Sequence, residues 1–323
     1  MQRLLLIYNP HSSQYVRVKD EVISRINNLN GYLIGKFTIK KISFEENVKN
    51  LKKVLQDGDI AIAAGGDATA AVVANAILES KKDVTLGVLP YGNFNDLART
   101  LGTMKYEDIF PRTGDATGGT PARAPSRVGE TVAAGPVRRL YPLDIIVDGK
   151  HWRYATCYVT AGMTAESVEL FDEPKFRKYM QKGHKSSWRS YLKLAEWYFK
   201  NRHKKVFLPP FTLNGKPTKK GISDYCALSG KSMCRVMKGG DDYLKPKVFR
   251  SENCRLVNFW RLFKLMAISI LKRVPGTETK EDLIEFLAPA TVELQAEGEY
   301  KTFQNVTKIL VKKPDQYIKV IHK

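Results

Sequence analysis

Along the first hundred residues the hydrophobic pattern alternates between two periods. Residues 4–8 (LLLIY), 60–64 (IAIAA) and 84–89 are compact apolar runs, and 37–42 is a looser one. Short apolar runs bounded by turn residues predict buried strands. Between them the spacing lengthens. Val18, Val22, Ile23 and Ile26 predict a helix over 16–29, a second runs over 45–55 from near Ser43, a third over 70–78, and a short fourth over 97–101. Strands alternating with helices predict a mainly parallel sheet covered on both faces.

Residues 111–139 break this rhythm. Their Gly, Pro, Ala, Thr and Arg, with no apolar periodicity, predict a flexible loop or linker. Beyond it, strands are predicted at 143–147, 151–160, 206–213, 224–229, 254–259, 291–295, 307–311 and 317–321. Helices are predicted at 185–201 and 259–274. Asp148-Gly149 and Asn214-Gly215 are hairpin turn signals, and 296–300 (AEGEY) reads as another hairpin. The fold class expected is α/β with two domains: an N-terminal doubly wound, mainly parallel sheet over 1–142 and a mostly antiparallel β domain over 143–306.

Charge narrows the partners without choosing among them. The 53 Lys and Arg against 33 Asp and Glu give a net +20 over 323 residues. So basic a surface suits an acidic partner: nucleic acid, phosphorylated small molecules or an anionic membrane face. The cations are spread along the whole chain, however, and a solvated surface accounts for them as well. Cys157, Cys226, Cys234 and Cys254 lack zinc spacing and suit a reducing cytoplasm. No uncharged apolar run reaches the length of a membrane span, and residues 1–8 read as a strand rather than a signal peptide. A cytoplasmic protein that touches a membrane at most at its surface is expected.

Two stretches bear on that surface. The helix over 259–274 is apolar on more than half its circumference, with Arg261, Lys264, Lys272 and Arg273 on the rest. It reads as interfacial or as core, and core is favoured because wide apolar stripes usually pack inward. The cations from Lys175 to Lys205 are interleaved with Trp188, Tyr191, Trp197, Tyr198 and Phe199. They form a membrane-facing patch or a solvated face. No nucleic-acid-binding motif accompanies them, so no nucleic acid is expected.

The candidate chemistry lies in three turns, each following a predicted strand. They are Asn9-Pro10-His11-Ser12-Ser13, Gly65-Gly66-Asp67-Ala68-Thr69, and Pro90-Tyr91-Gly92-Asn93-Phe94-Asn95-Asp96. Ligands of parallel sheets bind beyond the carboxyl ends of the strands. Glycines let the backbone approach such a ligand, and a helix start draws anions. Taken alone, Gly65-Gly66 is equally a tight turn. The convergence of three turns favours a ligand site.

In this order the stretches resemble the diacylglycerol kinase catalytic-domain family of soluble bacterial lipid kinases, related to NAD and sphingosine kinases. The family's N-P-x-S-G, G-G-D-G-T and P-x-G-T-x-N-D-x-A-R correspond to the three turns and to Leu97-Ala98-Arg99. Its second-domain Asp matches Asp144, its G-x-D-A resembles Gly162-Met163-Thr164-Ala165, its G-G-G and proline resemble Gly239-Gly240 and Pro246, and its D-G-E matches Glu297-Gly298-Glu299. The resemblance implies ATP and Mg²⁺ in a cleft between the domains, with residues 307–323 returning to the first. Asn9, Ser43, Gly65, Gly66, Asp67, Ala68, Thr69, Gly92, Asn93 and Asn95 would line the nucleotide site. Asp67 would hold nucleotide or Mg²⁺, and Glu297 would be the base. The acceptor would be a diacylglycerol-like lipid at an anionic membrane, and a homodimer is compatible with this reading.

The chain departs from the family at Ser13, Ala68, Asn93, Glu297 and Glu252-Asn253. Ala68 would be strained if the turn needs positive φ there. Glu297 is one methylene longer than Asp, and Glu252 is the nearest candidate for the family's structural metal. Two other readings stay open. One is a nucleotide- or lipid-binding relative without turnover. The other is a NAD kinase-like enzyme, against which the N-P and P-x-G-x-x-N-D-x-A-R stretches weigh.

Overall fold

The computed structural model describes residues 1–12, 14–27, 29, 31–110, 136–166, 170, 192–193, 196–197, 200, 208–218, 222–233, 237–238, 248–254 and 277–323. The loop over 111–135, the two predicted helices over most of 185–201 and 259–274, the basic–aromatic stretch, Gly239-Gly240 and Pro246 lie outside these residues.

Five strands open the chain: β1 Gln2–Tyr8, β2 Tyr32–Thr38, β3 Ile60–Gly65, β4 Thr85–Pro90 and β5 Val137–Leu140. The helices among them are α1 Tyr15–Val18, continued through a π turn Lys19–Ile23 into α2 Ser24–Ile26, then α3 Phe44–Val54, α4 Asp67–Ser80, α5 Asp96–Thr100 and α6 Tyr106–Ile109. Side-chain alternation in β1 explains the layering. Leu4 and Leu6 pack with Val18, Val22 and Ile26 on one face, and Leu5 and Ile7 pack with α3 and α4 on the other. This is the expected parallel sheet covered on both sides.

The second half supplies α7 Met163–Glu166 and the strands β6 Leu143–Val147, β7 Lys150–Ala155, β8 Tyr158–Gly162, β9 Phe211–Leu213, β10 Lys216–Pro217, β11 Ile222–Leu228, β12 Ser232–Met233, β13 Met237–Lys238, β14 Val248–Cys254, β15 Thr277–Thr279, β16 Glu281–Ala296, β17 Glu299–Lys312 and β18 Ile318–Ile321. An antiparallel sheet runs in the order β15-β14-β11-β8-β16-β17-β6-β7, with its own apolar core. The first sheet runs β2-β1-β3-β4-β18-β5, so β18 returns to it beside β5. The two-domain α/β architecture is therefore the one expected.

Several elements differ from the sequence reading. Of the second strand expected over 37–42, only Phe37 and Thr38 belong to β2, which lies earlier. The last sheet bond there is Ile39 N to Tyr8 O, because buried Asn47 takes both the N–H and the carbonyl of Lys40 and curls the chain into α3. Residues 151–160 are two strands, broken at Thr156-Cys157. Of the strand expected over 254–259 only Cys254 is described, as the last residue of β14, and of the one expected over 206–213 the described residues 208–213 form β9 from Phe211, after Pro209-Pro210. Strand β16 starts ten residues before the predicted 291, crossing Pro289 at a register shift. Val137–Leu140, inside the predicted loop, pairs with β18.

The two sheets are joined through α4. Asn75 is fully buried on it, and its amide donates to Ala71 O and Tyr154 O and accepts from Tyr154 N at 2.8 Å. One side chain thus satisfies the edge of β7 as a further strand would. A second tie is Lys313, whose Nζ donates to Tyr141 O at 2.6 Å and to Ser229 Oγ. Tyr141 lies between β5 and β6 and Lys313 between β17 and β18, so this ammonium links both connections between the sheets. Burial pulls it down to about 7.

Candidate functional site

Each of the three turns emerges at the carboxyl end of a parallel strand, so the sheet brings them side by side. The β3–α4 and β4–α5 turns approach backbone to backbone at Gly66 and Gly92. A Cβ added to Gly92 would lie 2.3 Å from Gly66 Cα, and one added to Gly65 would lie 2.5 Å from Thr69 Oγ1. We expect Gly92→Ala to push these turns apart, lowering stability by about 1–3 kcal/mol. Thermal melts would show this as a lowered midpoint, and crystal coordinates as a displaced Gly66.

Asn95 shapes the second of these turns. It sits in the left-handed region at φ +54°, accepts from Gly92 N at 2.7 Å and donates to Gly92 O at 2.8 Å. Its amide is spent on its own loop, while Asn93 is exposed. Asp67 also has a structural duty, accepting from Leu97 N at 3.1 Å at the start of α5. Burial raises its carboxyl, against the backbone N–H groups of Leu97, Asp96 and Asn95 and the charge of Arg99. Ala68 lies in the first turn of α4 without positive φ. The strain considered from sequence does not arise, because the helix begins at Asp67.

Beside these turns opens a cavity of about 150 Å³ lined by Asn9, Ile39, Lys40, Ile42, Phe44, Asn47, Ala68, Thr69, Val72 and Glu299. Asn9, Ala68 and Thr69 meet there. Ser43 is not in its lining: it is the N-cap of α3, with Oγ accepting from Glu46 N at 3.1 Å. Phe44 and Asn47 escaped the sequence reading, and Glu299 entered it only as the last residue of the Glu297-Gly298-Glu299 turn. An asparagine one helical turn after a candidate N-cap serine was the available signal.

Glu297 arrives from the second sheet. Glu297 and Gly298 form the two-residue turn between β16 and β17, at φ +53° and +91°, and Ala296 pairs with Glu299. Such turns favour Asn-Gly or Asp-Gly. Glutamate is a poor choice for the backbone, and strain of this kind gathers at functional positions. Its side chain is buried, with Oε1 accepting from Thr156 Oγ1 and Cys157 N, both at 2.5 Å, while Oε2 has no hydrogen-bond partner. Burial first, and the nearby Asp67 charge, push its carboxyl up to about 8, although the Thr156 and Cys157 bonds pull the other way. The break between β7 and β8 is thus what holds Glu297. That break was invisible in the apolar run over 151–160.

The residues present fit a nucleotide with a divalent cation. An orphaned, buried carboxylate oxygen lies near a second carboxylate, Asp67, and hard cations take oxygen donors. Among the described residues no group of three or more His, Cys, Asp or Glu could hold a metal. A cation would therefore depend on phosphate oxygens for the rest of its shell. Glu252 lies on β14 opposite Tyr225, and its side chain is outside the described part.

Residues 3–115 match the family model of the diacylglycerol kinase catalytic domain, which bears out the resemblance over that stretch. A diacylglycerol kinase of Staphylococcus saprophyticus is 30% identical over 102 residues, covering 31% of this chain and 33% of that one. One of Staphylococcus aureus strain bovine RF122 is 32% identical over 102 residues, 31% of this chain and 32% of its own. The match thus spans about a third of these curated relatives. Among solved structures, a diacylglycerol kinase from Bacillus anthracis str. Sterne aligns over 100% of this chain and 97% of its own, with TM-score 0.63 and 14% identity. That likeness concerns the fold, and it extends through the second sheet.

Proposed function

We propose that this chain is an ATP-dependent lipid kinase that transfers a γ-phosphoryl group to a lipid hydroxyl of the diacylglycerol type at an anionic membrane surface. The observation that carries this is Glu297, a buried carboxylate with one free oxygen, facing the strand-end turns that the family match covers. Among the described residues no helix is long and apolar enough to cross a membrane. Access to lipid is therefore proposed at the surface.

In this reading the cavity beside Phe44 and Val72 takes the base and sugar, and the start of α4 meets the phosphates. Asp67, with those phosphates, would hold Mg²⁺, which neutralises charge when bound. Glu297 Oε2 takes the proton from the lipid hydroxyl, the hydroxyl oxygen bonds to the γ-phosphorus, and ADP leaves. A base near 8 lies close to the working pH, where general-base catalysis is most effective. Thr156 and Cys157 hold the other oxygen, so the proton has one destination.

ATP consumption across a panel of lipids tests the proposal. Wild type should show lipid-dependent turnover and Asp67→Ala should not. No turnover above that control would leave a binding relative without catalysis, and phosphorylation of NAD alone would favour the third reading. Sedimentation with vesicles checks the membrane part: equal binding to neutral and anionic vesicles would remove the electrostatic contribution.

A further inference from the structure

Arg153 joins the second sheet to the wall of the cavity. It lies on β7 beside a bulge, since Ile145 faces Arg153 and Ile146 faces His151, leaving Trp152 as the extra residue. Bulges re-aim side chains. Here the guanidinium lies 4.4 Å from the Trp152 ring centre and 4.0 Å from that of Phe44. Its Nη2 donates to Glu45 Oε1 at 3.0 Å. Phe44 and Glu45 open α3, which packs on the first sheet, and Phe44 lines the cavity. Glu299, which also lines the cavity, comes from the second sheet, so the full lining is assembled only when the two sheets are closed on each other.

The contact is balanced rather than strong. Arg153 is 5% exposed, yet its Nε and Nη1 have no hydrogen-bond partner. Two buried donors without acceptors oppose closure, because opening would hydrate them. Stacking on Phe44 and an ion pair with the half-exposed Glu45 favour it. We propose that Arg153 is a positioning residue, a reversible clasp that sets Phe44 as the cavity wall when the second sheet closes. The proposal rests on the nucleotide reading above for its consequence in catalysis, but the clasp itself is independent of it.

The test compares wild type with Arg153→Met, Arg153→Lys and Glu45→Gln. Without ligand, amides 44–47 of Arg153→Met should exchange with deuterium roughly tenfold faster, as local opening becomes easier. Arg153→Lys should recover most of the protection, and Glu45→Gln, a change at an exposed carboxylate, should lose part of it. With ATP and lipid, KM for ATP should rise about tenfold in Arg153→Met while kcat stays within about twofold, the pattern of lost positioning of one substrate. Unchanged exchange at 44–47 in both Arg153→Met and Glu45→Gln would overturn the clasp. So would equal losses in kcat and in ATP affinity with a general fall in protection, the mark of a purely structural residue. If wild type itself turns over no ATP, the kinase reading fails and the exchange comparison still decides the clasp.

Discussion

Replacing Glu297 by Gln should remove lipid-dependent turnover almost completely while leaving the protein folded. Gln keeps the volume and can accept from Thr156 and Cys157 through its oxygen, but it cannot take a proton. General-base contributions run to about 10²–10⁴-fold, and a loss of that size in kcat is the expected result. The pH profile gives an independent check. With Glu297 at about 8, wild-type turnover should climb across neutrality and level off above that value. A profile that is flat from pH 6 to 9 would argue against this base.

The same carboxyl makes a stability prediction that needs no activity. Its proton is held more tightly in the folded chain, at about 8 against 4.5 for the ordinary group. Its contribution is therefore fully present below about 4.5 and is lost as pH rises through 8, at about 1.4 kcal/mol per pH unit at most. Lys313 acts in the opposite sense. Lowered to about 7 from 10.5, it favours the folded state as pH rises from 7 towards 10.5. The difference between wild type and Glu297→Gln isolates the first contribution, so melting midpoints from pH 4.5 to 8 should fall more steeply in wild type.

Asn75→Leu is the change with the largest expected effect on the fold. Leucine has the same branched heavy-atom shape, though it is bulkier, and Tyr154 loses both the donor and the acceptor that satisfy its backbone, at the seam between α4 and β7. Buried backbone groups left unpaired cost about 1–3 kcal/mol each, so a loss of roughly 3–5 kcal/mol is expected. Denaturant titration with a spectroscopic probe in each half would measure it. The sharper outcome is a loss of coincidence, with the second sheet melting before the first. A coincident transition with an unchanged midpoint would show that α4 docks on β7 without this amide.

How much of this was legible depended on whether sequence neighbours decide the structure. β1, β3 and β4 were readable because they are buried on both faces and their apolar runs need no partner to be recognised. Residues 37–42 were misread because Asn47, several positions later, competes for the backbone of Lys40. Residues 151–160 look continuous because the break at Thr156-Cys157 is made by Glu297, about 140 residues away. The candidate site divides the same way. Asn9, Asp67 and Gly92 stand in turns that sequence marks, so their meeting followed from the parallel sheet. That Asp67 and Asn95 are committed to loop geometry, Ser43 to capping α3, and Arg153 to Phe44 depends on contacts no local pattern carries.

The adjacency of β5 and β18 has a consequence for how such a chain can change. Ile318 pairs with Leu140 and Ile321 with Val137, so the polypeptide leaves the first sheet and re-enters it at neighbouring positions. Everything between, β6 to β17, is an insertion whose two ends already meet. Exchanging that cassette for another of different length adds little closure entropy, since the ends are pinned by the host sheet and not by the insert. The half that would choose the acceptor can therefore diverge, or be grafted, while the strand-end turns keep their geometry.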